Sequence, residues 1–296
     1  RMVLAHWLQR PSVDSHRIKP AKTYKIFLCM ICFESFLFEK IKSKMSLYKR
    51  TVLITGASRG IGRAIALRCA EDGANVGIIS RSGRVPSHES LDGTLREVAC
   101  QIQDRGGNPF IMPLNVGNTT DVKLHVSKVL DKFGSIDAIV NNASAVYVET
   151  HPNSKQCDTM LNVNIKGTLN MILATCDELN KSDIGHILTI SPPLHTLKHL
   201  WMQPHPTYTM TKYAMSMLTI GHGGNTLWPK KLVKTAATKM LEKKTGIPGY
   251  SRGGSAYRFA VCAHSVLCSD MTGESLFDVD VLPNMVDENG VDDIFI

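Results

Sequence analysis

The sequence predicts an α/β protein built on one doubly wound parallel sheet, and three observations carry that prediction. From residue 50 onward, short β-branched runs alternate with longer helix-compatible segments, the pattern of parallel strands joined by crossover helices. The first run passes into a glycine-rich turn and then a helical segment, Thr55-Gly56-Ala57-Ser58-Arg59-Gly60-Ile61-Gly62. A chain of 296 residues, 43% hydrophobic and 20% charged, is long and apolar enough to bury one large core.

The strand candidates are 51–55, 75–80, 109–114, 136–141, 186–191 and 275–282, most of them rich in Val, Ile or Thr. Helices are expected near 61–72, 90–105, 119–133, 155–180 and 207–220. No repeat or low-complexity tract breaks the alternation, so residues 45–296 read as a single domain. Residues 1–44 read as an extension, either a presequence or a non-native segment. Its apolar run, 26–38, is interrupted by Glu34 and falls short of the ~20 residues that cross a bilayer, so no transmembrane segment is expected.

Charge is unevenly distributed. The formal net charge is +8, yet residues 1–50 hold 11 Lys/Arg against 3 Asp/Glu, leaving 23 of each sign in the remainder. The body of the protein is formally neutral, which argues against a nucleic-acid groove. Eight cysteines scattered partly through apolar stretches read as reduced, buried thiols of an intracellular protein. Cys29 and Cys32 have no second ligand pair at zinc spacing, so no metal is expected there.

A strand, a glycine turn and a helix start together make an anion site, because unpaired backbone N–H groups and the helix dipole converge on one point. Gly56 permits the turn, Gly60 admits a pyrophosphate, and Gly62 allows close packing of helix on sheet, with Ser58, Arg59 and Ile61 completing the loop. A tight connection with no ligand is the plainer alternative. Past the second strand no Asp or Glu stands where a ribose 2′-hydroxyl is usually met. Arg81 takes that place and Arg59 projects from the loop. Two guanidinium groups suit a 2′-phosphate, so NADP(H) is preferred over NAD(H).

Farther on come Asn141-Asn142-Ala143-Ser144, then Asn162-Val163-Asn164-Ile165-Lys166-Gly167, then Ser191, then Tyr208-Thr209-Met210-Thr211-Lys212. Tyr208 and Lys212 are four apart and share a helix face. An ammonium beside a phenol, whose unperturbed pKa is about 10, stabilises the phenolate and brings it toward neutral pH.

These four motifs, in this order, resemble the short-chain dehydrogenase/reductase family over about 45–296. The resemblance implies a Rossmann-type fold and an NADP(H)-dependent oxidoreductase that interconverts a carbonyl and a secondary alcohol on an apolar, lipid- or steroid-like substrate. It implies that Tyr208 exchanges a proton with the substrate oxygen and that Lys212 lowers the Tyr208 pKa and meets the nicotinamide ribose. Ser191 would orient the carbonyl, and Asn164 would hold a water linking Lys212 to solvent. Asn115 and Val116 would meet the adenine, Asn142 and Ala143 the adenosine ribose, and Val233 and Thr235 the carboxamide. Small molecules are the expected partners, with a homo-oligomer left open, and mitochondrial, peroxisomal and cytoplasmic locations all remain open.

Two departures from the family pattern stand out. The stretch from Ser191 to Tyr208 is long and contains His195, His199 and His205, but Pro204 and Pro206 prevent a helix from gathering them around a metal. More seriously, Gly221-His222-Gly223-Gly224 leads almost at once into Asn225-Thr226-Leu227-Trp228. About nine residues are missing by comparison with the family pattern, and glycine is poor in helix and strand alike. The expectation is a defective sixth strand and an impaired substrate half. The competing function is then a nucleotide-binding or interaction protein that keeps the fold.

Overall fold

A computed structural model describes residues 46–83, 93–196, 204–246 and 251–282. The chain alternates β1 (Thr51–Thr55), α1 (Gly60–Glu71), β2 (Asn75–Ser80), α2 (Leu95–Asp104), β3 (Asn108–Pro113), α3 (Thr119–Phe133) and β4 (Ala138–Asn141). It continues with α4 (Ser154–Met160), a π-helical stretch (Leu161–Lys166), α5 (Gly167–Leu179), β5 (His186–Ile190) and α6 (Pro206–Gly221). The last part is β6 (Asn225–Trp228), α7 (Ala236–Thr245), α8 (Ala256–Leu267), β7 (Ser275–Phe277) and α9 (Asp278–Val281).

The seven strands form one parallel sheet in the order β3-β2-β1-β4-β5-β6-β7. Strand order reverses between β1 and β4, the position at which doubly wound sheets open a ligand crevice beyond their carboxyl ends. Apolar side chains of α1, α2 and α8, among them Ile65, Val98 and Phe259, pack on one face with Val52, Ile54 and Val140. Val126, Val129, Met171 and Ile172 of α3 and α5 cover the other face over Leu53 and Ile139. Burial on both sides explains why these strands read as nearly unbroken apolar runs.

The first two strands lie where the sequence places them. The fourth starts at Ala138 rather than 136, and the strand expected over 275–282 stops at Phe277, where α9 begins. Helices α7 and α8 were not foreseen. The long helix expected over 155–180 is interrupted by the π-helical turn that carries Asn164. The extension 1–44, His199 and part of the helix expected from residue 90 lie outside the described residues.

The defective sixth strand is corrected by the structure. Strand β6 pairs in parallel with both β5 and β7, and its first three residues are buried. The glycines that counted against it make it possible. Helix α6 ends at Gly221, Gly223 turns the chain at φ +72°, and Gly224 passes so near β5 that a Cβ would lie 2.7 Å from Ile187 Cβ. Any side chain at that position would push the strand off the sheet, so a run that looks destructive is what allows a short connection.

Candidate active site

The glycine turn forms a cradle at the carboxyl end of β1. Gly56 and Gly60 hold φ values of +67° and +56°, and a Cβ on Gly62 would come within 2.6 Å of the Gly56 carbonyl oxygen. Thr55 fastens this turn to the end of β4: its Oγ1 donates to the Val140 carbonyl and accepts from the N–H groups of Asn142 and Ala143, both at 2.9 Å. The Asn142 side chain donates back to the carbonyls of Thr55 and Gly56. Helix α1 starts without a side-chain cap and without an acidic residue in its first turn, whereas α2, α3, α4, α7 and α8 are capped by Thr94, Asn118, Asn153, Thr235 and Ser255. Its first N–H groups are not met by a capping side chain, an arrangement that suits an anion.

At the end of β2, Ser80 Oγ donates to Ser58 Oγ, and the Arg59 guanidinium donates to Ser82 Oγ at 3.0 Å and to the Gly93 carbonyl. Arg81, the neighbour of Ser82, is exposed. Both guanidinium residues therefore belong to one corner. Asn115 spends its side-chain carbonyl on the Gly117 N–H at 3.1 Å, which leaves that oxygen one lone pair. Val116 and Ala143 line a narrow cleft together with Thr55 and Asn141. Within it the Asn141 side-chain oxygen is buried without a hydrogen-bond partner. An uncapped helix, a cradle closed to side chains and an orphaned acceptor fit a nucleotide cofactor at this crevice.

The candidate catalytic residues are arranged differently from the expectation. Lys212 is buried, donates to the Ile190 carbonyl, approaches Met215 Sδ at 3.5 Å and lies 5.3 Å from the centre of the Trp228 ring. Burial brings its pKa down to about 7. Tyr208 is coupled to Ser144 instead of Lys212. Burial pushes its phenol up to about 12, and the hydrogen bond to Ser144 is the opposing influence. Ser191 is completely buried, and its hydroxyl accepts from Ser216 Oγ at 2.9 Å. Ser144 supplies a hydroxyl near the phenol, and Lys212 spends its ammonium on the Ile190 carbonyl. The reason is that spacing along a helix fixes a shared face but not where a long side chain ends.

Asn164 is buried, and its amide is fully engaged. Its oxygen accepts from the Ala145 N–H at 2.7 Å, and its nitrogen donates to the Ala145 carbonyl and to Thr211 Oγ1. It ties the loop after β4 to the helix of Tyr208. Val233 is buried in an isolated bridge with Gly254. Thr235 caps α7, and its methyl group lies over the glycine turn, 3.3 Å from where a Gly60 Cβ would stand. His205 meets the Val148 carbonyl, and His195 is exposed. Sequence reasoning missed Thr55, Ser144 as the phenol's partner, and Thr211. A hydroxyl where the family pattern has glycine, after Asn141-Asn142-Ala143, was the available signal for Ser144.

The comparisons identify the family and the fold. The sequence profile of the short chain dehydrogenase family matches residues 50–224. Hydroxysteroid dehydrogenase-like protein 2 from Bos taurus is 41% identical over 201 residues, 64% of this chain and 47% of that protein. The Homo sapiens protein of the same name is 38% identical over 253 residues, 82% of this chain and 58% of its own. The chain therefore spans about half the length of the curated relatives it matches. Among solved structures, a dehydrogenase from Xanthomonas campestris superposes with TM-score 0.73 at 34% identity, covering 80% of this chain and 90% of its own. Of two more distant neighbours that share the fold, one from Mycobacterium paratuberculosis is bound to NAD (TM-score 0.65, 20% identity) and covers 78% of this chain and 97% of its own. The other, from Burkholderia cenocepacia, is in complex with NADP (TM-score 0.62, 24% identity) and covers 78% and 96%.

Proposed function

The chain belongs to the short-chain dehydrogenase family, and on that footing we propose that it is an NADP(H)-dependent oxidoreductase interconverting a carbonyl and a secondary alcohol on an apolar, lipid- or steroid-like molecule. The observation that carries this reading is the uncapped, glycine-cradled start of α1 on the same sheet end that bears Tyr208 and Lys212.

In this reading Ser58, Arg59, Gly60, Ile61 and Gly62 hold the diphosphate, and Arg59 with Arg81 takes the 2′-phosphate. Asn115 and Val116 meet the adenine, Asn142 and Ala143 the adenosine ribose, and Val233 and Thr235 the carboxamide. The bound cofactor supplies or accepts hydride. The protein supplies the proton: Tyr208 Oη gives it to the substrate oxygen during reduction and takes it back during oxidation. A phenol held near 12 gives up its proton reluctantly, so the working state requires Lys212 to leave the Ile190 carbonyl and turn toward Tyr208. There its ammonium stabilises the phenolate. Ser144 holds the phenol in place, and Ser191, fixed by the Ser216 hydroxyl that also donates to the Pro192 carbonyl, orients the substrate carbonyl.

NADPH oxidation with a panel of ketones and quinones tests the assignment. Tyr208→Phe is expected to lower kcat by at least about 100-fold, the loss typical of a positioned acid–base group; equal turnover of variant and wild type would refute it. Titration with both cofactors tests the two arginines, and tighter binding of NAD defeats that part. The competing reading, a nucleotide-binding protein without turnover, rests on the hold of Ile190 on Lys212, and it predicts NADPH binding with no product from any substrate. Helix α6 exposes Met210 and Met217, and α5 exposes Leu173. We assign these to a homo-oligomer contact, which light scattering checks.

A further inference from the structure

A second cluster of chemically active side chains lies at the other end of α1. Asp72 follows the last residue of that helix, His264 lies in the last turn of α8, and Cys268, four residues on, directly follows that helix, so the two share a face. One oxygen of Asp72, His264 Nε2 and Cys268 Sγ all lie within 4.8 Å of one another. The Asp72–His264 separation is 2.7 Å and the Cys268–His264 Nε2 separation 3.6 Å.

Tetrahedral zinc with bonds of about 2.0–2.3 Å places its ligand atoms about 3.3–3.6 Å apart. The sulfur–nitrogen edge already has that length, and the oxygen–nitrogen edge needs to open by about 0.7 Å to admit the ion. Asp72 is held for the purpose. Arg68 occupies its Oδ1 at 2.8 Å, while the Leu47 N–H and Ser46 Oγ approach Oδ2, the oxygen that faces His264. A carboxylate just past a helix carboxyl end also opposes the helix dipole, which a cation would relieve.

We propose that Asp72, His264 and Cys268 bind one zinc ion that clamps α1 to α8, with a water in the fourth position. Thiolate, imidazole and carboxylate together are a zinc donor set rather than a magnesium or calcium one. Binding releases the Cys268 thiol proton to solvent and moves the imidazole hydrogen from Nε2 to Nδ1, where it no longer opposes the ion. The site is separated from the glycine turn by the length of α1, about 18 Å, so it is structural and does not depend on the proposed reaction.

The test is cobalt titration of chelator-treated full-length protein, followed by zinc displacement. Wild type is expected to take up one equivalent and to show the near-ultraviolet thiolate-to-cobalt charge-transfer band, with a higher melting temperature once zinc is added. Cys268→Ser should remove the band, and His264→Ala should weaken affinity by more than about 100-fold, beyond the cost of losing a supporting contact. Asp72→Asn, which keeps the shape of the cluster, should retain the band at reduced affinity and serves if Cys268→Ser melts abnormally. The Cys29→Ser/Cys32→Ser double variant should behave as wild type. No cobalt uptake by wild type, a band that survives in Cys268→Ser, or a band lost in the double variant would overturn the site.

Discussion

Strands β1, β2 and β4 fill both faces of the sheet mainly with Val, Leu and Ile and keep their buried polar residues, Thr51, Thr55 and Asn141, at strand ends, whereas β5 and β6 set His186, Thr189, Asn225 and Thr226 among Ile187, Leu188 and Leu227 at the same depth. In the first half, burial of apolar area does the work. In the second, polar side chains answer one another across three strands. Asn225 Nδ2 donates to His186 Nε2 on β5 and to the Met271 carbonyl, both at 2.7 Å, and its oxygen accepts from the Glu274 N–H. Thr219 of α6 donates to Thr189, and Thr226 to Ser275. A four-residue strand offers little apolar surface, so directional bonds set its register where hydrophobic burial alone leaves it loose.

The sharpest way to break this comparison is Asn225→Ala. It strands a part-buried backbone N–H and carbonyl and a buried imidazole, the buried group alone costing about 1–3 kcal/mol, so the variant should lose about 2 kcal/mol or more in urea denaturation. That matches what Ile54→Ala should cost in the apolar half, about 2–5 kcal/mol. A loss below about 1 kcal/mol for Asn225→Ala would show that the polar network is incidental.

His186 gives the second test. Burial lowers its pKa to about 4 from an ordinary 6.5, so between these values the unfolded chain binds more protons than the folded one. Stability from this residue is complete above pH 6.5 and falls as the pH drops toward 4, by up to about 3 kcal/mol. His186→Gln should flatten that part of the pH profile, and an unchanged slope would count against a neutral, accepting imidazole. The smallest effect belongs to Gly223→Ala, where a side chain at positive φ costs about 1 kcal/mol. The same substitution at Gly221, whose Cβ would meet open space, should be nearly neutral.

Much of the candidate site was legible because its signals are local. The glycine spacing, the end of β2 at Arg81 and the Tyr208/Lys212 interval each occupy one turn or one strand end, and periodicity along the chain places them. What failed were inferences about where side chains finish. Lys212 reaches the Ile190 carbonyl rather than Tyr208, and Ser191 turns to Ser216 while Ser144 takes the phenol. The expectation of buried thiols holds for Cys69 and Cys262, whereas Cys100 is exposed.

The sequence by itself determined the alternation of strands and helices, the glycine turn after β1 and the family, because each rests on residues close together in the chain. Only the tertiary structure decided that β6 exists, which hydroxyl meets Tyr208, and that Asp72 finds His264 and Cys268 nearly two hundred positions later. The physical reason is range: backbone propensity acts over a few residues, whereas packing and hydrogen bonding join any groups the fold brings within about 4 Å.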